Sequence, residues 1–217
     1  DDAVFATERA IWRAVDLLSK RPETGILAFQ VINYENGSVR LRTPFSQLTH
    51  RRRPEIHKRQ QPVSYYLGTG HAIRREVIER CGLYQGDFLF GEEELDLSYR
   101  VVRAGYQILY VPSIIVHHYP QVSVIENGLA ERSFTEIELH IRNRIWLVYK
   151  HLPLPYLPTN LSVWLTFYAG QAIRTLQPGA YVRGLSAGLK GLRRLSRRPL
   201  SGWAIAYMQD HFGRLWY

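Results

Sequence analysis

Apolar residues with two different periods alternate along this chain, and that alternation constrains the fold most strongly. Ile11, Val15 and Leu18 lie at helical spacing within residues 6–20. The continuous apolar run over 25–32 then predicts a buried strand, which the Asn36-Gly37 pair would end. The chain therefore opens with a helix followed by a strand.

Two further helices are predicted by their end signals. One covers residues 74–80 and ends at Gly82. The other covers 93–104, with Leu95, Tyr99 and Val102 on its buried side, and Gly105 ends it.

Strand patterns follow at 107–111 and 114–118, interrupted by Pro112. Proline lacks a backbone N–H, so we expect this interruption near a sheet edge or a bend. Strands that alternate with helices predict an α/β domain. Residues 41–61 show no clear period and are expected to form a long basic loop.

The C-terminal third is predicted to be helical. Residues 136–151 have a helical pattern, and three prolines then break the chain at Pro153, Pro155 and Pro158. The apolar stretch 161–173 is too short to span a bilayer, so it is either a buried or an interfacial helix. Residues 184–198 predict a basic amphipathic helix.

Charge is distributed unevenly along the chain. The net charge is +9, yet residues 1–139 contain 17 Lys and Arg against 18 Asp and Glu, while 140–217 contain 11 against 1. A basic C-terminal third indicates an anionic partner, and membrane headgroups and nucleic acid both qualify on charge. The single cysteine, Cys81, excludes an internal disulfide and fits a reducing compartment.

The most unusual local feature is an acidic run. Four acids fall within five positions: Glu92, Glu93, Glu94 and Asp96. One interpretation is a helix start, where the helix dipole favours acids, with Arg100 as an i,i+4 partner of Asp96. The other interpretation is a general base that accepts the proton of an attacking hydroxyl.

The segments around this run favour the second interpretation. In order, the chain contains Gly68-Thr69-Gly70 with Arg74-Arg75, then the acidic run, then Arg103-Ala104-Gly105-Tyr106, and finally Pro112 and His117-His118. This order resembles family 2 glycosyltransferases over about residues 1–150. The resemblance implies an inverting enzyme with a GT-A fold that uses a nucleotide-sugar donor.

The resemblance also implies a metal site. Asp1-Asp2 looks like the end of the family's Asp-x-Asp type motif, so Asp2 is expected to help bind Mg²⁺ or Mn²⁺ on the donor diphosphate. The family's closing histidine corresponds to His118, with His117 on the opposite face of the strand. We expect the earlier part of the motif and the nucleotide-binding strands to precede this chain, and the chain alone to be inactive.

The family's acid pair corresponds to Glu93-Glu94, where Glu94 is the expected catalytic base and Glu93 is the alternative. Asp96 and Arg100 match a segment that would position the acceptor or the structure around it.

Donor or acceptor contacts are also implied N-terminal to the acidic run. The backbone of Gly68, Thr69 and Gly70 would approach the sugar closely, although a plain tight turn is an alternative. One member of the Arg74-Arg75 pair would contact phosphate or the acidic run, and the other would face solvent.

Beyond residue 150 the chain resembles bacterial members that build envelope polysaccharides, including rhamnosyltransferase-like ones. We therefore expect a catalytic part over 1–150 and a helical, basic extension over 151–217. The acceptor would be a carbohydrate or a lipid-linked sugar, and the basic extension would dock on an anionic membrane. The expected location is cytoplasmic, at the inner face of the plasma membrane, without a nucleic-acid partner.

Two other functions compete with this one. A non-catalytic module for nucleic acid or anionic lipid would use Arg51-Arg52-Arg53 and the basic tail, with Trp203, Tyr207 and Trp216 between its charges, but it leaves the acidic run unexplained. A glycosidase needs two acids facing each other across a cleft, which neighbouring residues on one helix do not provide.

Overall fold

The computed structural model describes residues 2–35, 37–120 and 135–216 and confirms the α/β prediction. Six strands are described: β1 (Ala3–Phe5), β2 (Thr24–Glu35), β3 (Ser38–Arg42), β4 (Gln61–Val63), β5 (His71–Ile73) and β6 (Gln107–His118). The described α-helices are α1 (Ala10–Lys20), α2 (Gln47–Arg52), α3 (Arg75–Cys81), α4 (Glu93–Arg103), α5 (Glu136–His151), α6 (Leu157–Arg174), α7 (Pro178–Gly191) and α8 (Gly202–Asp210).

All six strands form one mixed sheet. Its order is β1-β6-β2-β3, with β4 added to β6 and β5 to β2. The central strands β2 and β6 are parallel, and the other pairs are antiparallel. Because β2 is buried on both faces, its sequence is a continuous apolar run rather than an alternating one.

The expected interruption at Pro112 is accommodated inside one continuous strand. Phe29 of β2 pairs with Val111, but the next β2 residue, Gln30, pairs with Ile115. The ladder to β2 therefore skips 112–114, and the missing N–H of Pro112 breaks no pairing with β2. The prediction of two separate strands was wrong, since β6 is one strand. Of the two expected settings for Pro112, the sheet edge was wrong because β6 is central, whereas the shift in register is a local irregularity of the strand.

The predicted long loop over 41–61 was also wrong. It contains α2, a turn of 3₁₀ helix at Ile56–Lys58 and the start of β4. The Ser46 hydroxyl accepts a hydrogen bond from the Thr49 backbone N–H at 3.1 Å and caps the first turn of α2. Ser46 was therefore a sequence signal for the start of α2. It was missed because residues 41–61 show no clear helical period.

The described residues fall into two compact units. The first comprises 2–83, 97–120 and 206–213, and the second comprises 84–96, 135–205 and 214–216. Each unit is a set of residues that pack against one another, and each is made of several separate stretches of the sequence. The predicted division into a catalytic part over 1–150 and an extension over 151–217 stays a prediction.

The first unit contains the sheet and α1. Helix α1 was correctly predicted, but its small residues Ala10 and Ala14 face the core, while Ile11 and Val15 are exposed. Alanine on the contact face allows a helix to lie close to the strands beneath it.

The second unit is mainly helical. Ala180, Gly184 and Gly188 of α7 are buried at four-residue spacing, and a Cβ on Gly184 would lie 2.9 Å from the Glu138 backbone carbonyl oxygen of α5. Only a glycine therefore allows α7 to approach α5 this closely. The helix predicted over 184–198 instead ends at Gly191, followed by a 3₁₀ turn over Leu192–Arg194.

The apolar stretch 161–173 lies within α6, which buries Asn160, Tyr168 and Ala172. In the part of the chain that is described, no helix is both long enough and apolar enough to cross a bilayer.

Candidate active-site elements

Asp2 and His118 are brought together by the pairing of β1 with β6. Ala3 lies opposite His118 in the antiparallel ladder. The Asp2 carboxylate oxygen Oδ2 lies 3.4 Å from Nε2 of His118, whose side chain is 13% exposed. The two residues proposed as metal ligands are thus neighbours despite their separation in sequence. Asp1 lies outside the described residues.

The orientation of His118 is set by Asn33, a residue that the sequence reasoning did not identify. Asn33 pairs with His118 across the two parallel strands, and its Oδ1 lies 2.5 Å from Nδ1 of the imidazole. If Nδ1 donates this hydrogen bond, the lone pair of Nε2 is directed towards Asp2. His117 contacts Tyr34 instead, with 3.0 Å between Nδ1 and the hydroxyl.

This arrangement is compatible with a divalent cation that is shared with a ligand. A hydrogen bond on the second ring nitrogen is the usual way in which a metal-binding histidine is oriented. The described residues contain no group of three or more His, Cys, Asp or Glu side chains suited to a metal. Phosphate and water oxygens are ligands that Mg²⁺ commonly adds to one or two carboxylates.

The Gly68–Gly70 segment forms a tight turn, closed by a 3.1 Å hydrogen bond from the Gly70 N–H to the Leu67 carbonyl. Gly68 is exposed and Thr69 is half-buried. A Cβ on Gly70 would lie 2.6 Å from Cγ2 of Val31. Gly70 is thus required by its contact with β2, and its expected approach to a sugar stays a prediction.

The arginines near the acidic run mostly stabilise backbone carbonyls. The Arg74 guanidinium donates to three carbonyls between the end of α1 and the start of β2, those of Leu18, Arg21 and Thr24. The Arg100 guanidinium donates to three more at the end of α3, those of Cys81, Gly82 and Leu83. Arg74 thus contributes to the end of α1 and Arg100 to the end of α3, whereas Arg75 is exposed.

Asp96 lies in the second unit and is fully buried. One oxygen, Oδ1, accepts hydrogen bonds from Lys150 at 2.5 Å and His151 at 2.8 Å. Burial alone would raise the pKa of this carboxyl, but His151 and Lys150 hold the pKa well below its usual range. This geometry favours the structural role for Asp96.

The loop before α4 has an unusual backbone. Leu89, Gly91 and Glu92 have φ angles of 60°, 78° and 74°, in the left-handed region. A Cβ on Gly91 would also lie 2.6 Å from the His140 ring. Such conformations are costly for leucine and glutamate and persist only when other contacts enforce them.

Those contacts come from three consecutive residues of α5. The Asn143 side-chain amide donates to the carbonyls of Phe88, Phe90 and Gly91 at 2.7–2.9 Å. Arg142 donates to the carbonyls of Asp87 and Phe88, and Arg144 forms a 2.6 Å ion pair with Glu92 in which both side chains are buried. We call residues 142–144 the loop clamp. The sequence signal was an Arg-Asn-Arg run set among the apolar residues Ile141, Ile145, Trp146 and Leu147, since buried polar groups need partners.

Glu93 differs from its acidic neighbours. Its Oε2 is buried and has no hydrogen-bond partner among the described residues. Burial raises the pKa of Glu93, and the negative charge of Glu92 adds to this effect. Glu94 is half-buried. A carboxylate in the environment of Glu93 has an increased tendency to accept a proton.

The aromatic residues of the basic tail lie in different environments. Tyr207 is buried, and its hydroxyl donates to the Val63 carbonyl at 3.0 Å and accepts from the Ile108 N–H. Trp203 and Trp216 are exposed. Of the three aromatic residues that the competing nucleic-acid or lipid module would use, Tyr207 is thus part of the core.

Comparison with known proteins gives limited similarity. No protein-family model matches the chain, and no curated protein matches its sequence. Among solved structures the chain is similar to a crystal structure of GalNAc-T7 with UDP, GalNAc and Mn²⁺, with a TM-score of 0.48 and 18% sequence identity. The match covers 78% of this chain and 36% of that chain, so this chain spans about a third of its neighbour's length.

Proposed function

We propose that this chain is part of a metal-dependent glycosyltransferase that transfers a sugar from a nucleotide-diphosphate sugar to an acceptor hydroxyl. The observation that carries the proposal is the meeting of Asp2 and His118, which the resemblance to family 2 glycosyltransferases predicted as metal ligands. They lie beside the carboxyl ends of the parallel strands β2 and β6, where α/β proteins usually bind ligands. As part of the same proposal, the sheet and its helices form the C-terminal portion of a GT-A fold.

Asp2 and His118 would hold Mg²⁺ or Mn²⁺, with Asn33 fixing the imidazole. The cation supplies charge stabilisation for the leaving nucleoside diphosphate.

The base would come from the pair Glu93 and Glu94. The resemblance predicts Glu94, whereas the buried, unpartnered oxygen of Glu93 favours Glu93. The base would accept the proton of the acceptor hydroxyl while that oxygen bonds to the anomeric carbon. The bond from this carbon to the diphosphate oxygen breaks in the same step, which inverts the configuration. The loop clamp would keep the carboxylates in place by fixing the preceding backbone.

The proposal also covers the setting of the reaction. The acceptor would be a carbohydrate or a lipid-linked sugar used in envelope polysaccharide or glycolipid synthesis. The protein would act in the cytoplasm as a peripheral protein at the inner face of the plasma membrane. The acid-poor sequence over 140–217 supports an anionic membrane as partner.

The test is nucleoside diphosphate release by the full-length protein, across a panel of nucleotide sugars with Mn²⁺ or Mg²⁺. Loss of the base is expected to lower kcat by about 10²–10⁴-fold while donor binding survives. Glu93→Gln and Glu94→Gln are compared, because only the variant that removes the catalytic base should show this decrease in kcat. Glu79→Gln, an exposed acid on α3, is the matched control.

The metal assignment is tested separately by titrating Mn²⁺ into wild type and His118→Ala with the nucleoside diphosphate present. His118→Ala should weaken Mn²⁺ binding, and Asn33→Ala should weaken it less, because Asn33 acts through the imidazole. If no donor is turned over and neither Glu variant differs from Glu79→Gln, the acidic run is only a helix start and the proposal fails.

A further inference from the structure

Large apolar side chains are exposed at the turn between α6 and α7 and along α7. Leu176, in the turn, is 89% exposed, and Ile173 at the end of α6 is also exposed. Val182 and Leu189 are exposed on α7. Isolated exposed apolar residues are ordinary, but four within 17 positions need an explanation.

The helical period places the α7 members of this set on one side. Val182 and Leu189 are seven residues apart, which is two helical turns, so they lie on the same side of α7. Arg193 lies beyond the end of α7, in the 3₁₀ turn over Leu192–Arg194. The side of α7 that packs on α5 is a different one, formed by Ala180, Gly184 and Gly188. The outward side of α7 is therefore apolar, with exposed cations next to it at Lys190 and, just beyond the helix, Arg193. We call Ile173, Leu176, Val182, Leu189, Lys190 and Arg193 the basic apolar surface.

The charged residues between positions 139 and 209 are all basic, since no Asp or Glu occurs there. Lys190, Arg193 and Arg194 are exposed. Arg183 is different, because its guanidinium forms a 2.9 Å ion pair with Glu138 of α5. The surface is thus complementary to a partner with negative charges above an apolar interior.

We propose that the basic apolar surface docks the protein on an anionic lipid bilayer, with Ile173 and Leu176 entering the headgroup region and the cations contacting lipid phosphates. An interfacial helix places its apolar side among the headgroups, while cations beside that side contact lipid phosphates. Lys190, next to Leu189 on α7, and Arg193, just beyond the helix, are in position to do so. A nucleic acid would use the cations but offers aliphatic side chains no apolar interior, so the aliphatic residues favour the bilayer. This inference rests on the peripheral location proposed above and is independent of sugar transfer.

The experiment is co-sedimentation of the chain with vesicles, in the absence of donor and metal. Vesicles of pure phosphatidylcholine are compared with vesicles that also contain phosphatidylglycerol. Binding is expected only with phosphatidylglycerol and should weaken as salt rises. The double variant Lys190→Gln/Arg193→Gln should bind about 25-fold more weakly, since each cation near such a membrane contributes about fivefold. Leu176→Ser should lose about tenfold if about half of the leucine side chain is buried in lipid.

Each variant has a matched control. Arg51→Gln/Arg52→Gln removes two exposed cations from α2, and Leu154→Ser removes another exposed leucine. Neither should change binding. The proposal is overturned if the controls weaken binding as much as the surface variants, or if phosphatidylglycerol has no effect. It is also overturned if the surface variants instead abolish binding to a single-stranded oligonucleotide or a concentration-dependent dimer. The vesicle assay contains no donor, so a failure to bind vesicles would not contradict the proposed sugar transfer. In the same way, a lack of sugar transfer would not contradict binding to vesicles.

Discussion

Asn143 is expected to contribute more to stability than any single exposed residue of α5–α7, because it is the centre of the loop clamp. Its two amide hydrogens are shared among three backbone carbonyls, and Asn143 itself is fully buried. Replacing Asn143 with alanine removes both N–H donors of the amide. The carbonyls of Phe88, Phe90 and Gly91 then each lose this hydrogen bond. At about 1.5 kcal/mol for each lost donor, the free energy of unfolding should fall by about 3 kcal/mol.

The assay is urea denaturation of wild type, Asn143→Ala and Asn143→Asp, with Ser162→Ala on the exposed side of α6 as control. The Asp variant keeps the shape and the acceptor for Arg142 but directs an oxygen at the carbonyls, so it should be less stable than the Ala variant at neutral pH. Acidification should recover part of this loss, since a protonated carboxyl can donate one hydrogen bond. A change below about 0.5 kcal/mol for Asn143→Ala, the range usual for surface substitutions, would refute the argument.

Two further predictions concern the second unit. Gly184→Ala should lower the free energy of unfolding by about 1–3 kcal/mol, because the new Cβ would lie 2.9 Å from atoms of α5. Gly170→Ala on α6, where a Cβ meets nothing within 4 Å, should instead raise it by up to about 1 kcal/mol, and equal signs in a thermal unfolding assay would contradict this contact. Asp96→Asn should destabilise the fold by about 3–5 kcal/mol at neutral pH, because Lys150 is left buried without its carboxylate. Since the folded-state pKa of Asp96 is depressed, its contribution is present above the unfolded pKa of about 3.9 and is lost as pH falls further. The difference between wild type and Asp96→Asn should therefore shrink below about pH 4, and a pH-independent difference would count against the assignment.

The sequence by itself determined the ends of two helices and the burial of the central strand β2. The ends of α3 and α4 were predicted by Gly82 and Gly105, both of which have left-handed φ angles of 78° and 94°. The apolar run of β2 predicted a buried strand, and it is one. These signals work because a glycine at a helix end, or a run of apolar residues, acts through its immediate neighbours along the chain.

Only the tertiary structure decided which groups the polar residues contact. Arg74 and Arg100 cap helix ends, and Asp96 pairs with two residues more than 50 positions away. The loop clamp and Asn33 were not identified from the sequence, although each orients a predicted site residue or its loop. Helical and strand periods indicate which side of an element is apolar, but they contain no information on which distant element will cover it. That choice depends on the packing of the whole chain, and with it the partner of each buried charge.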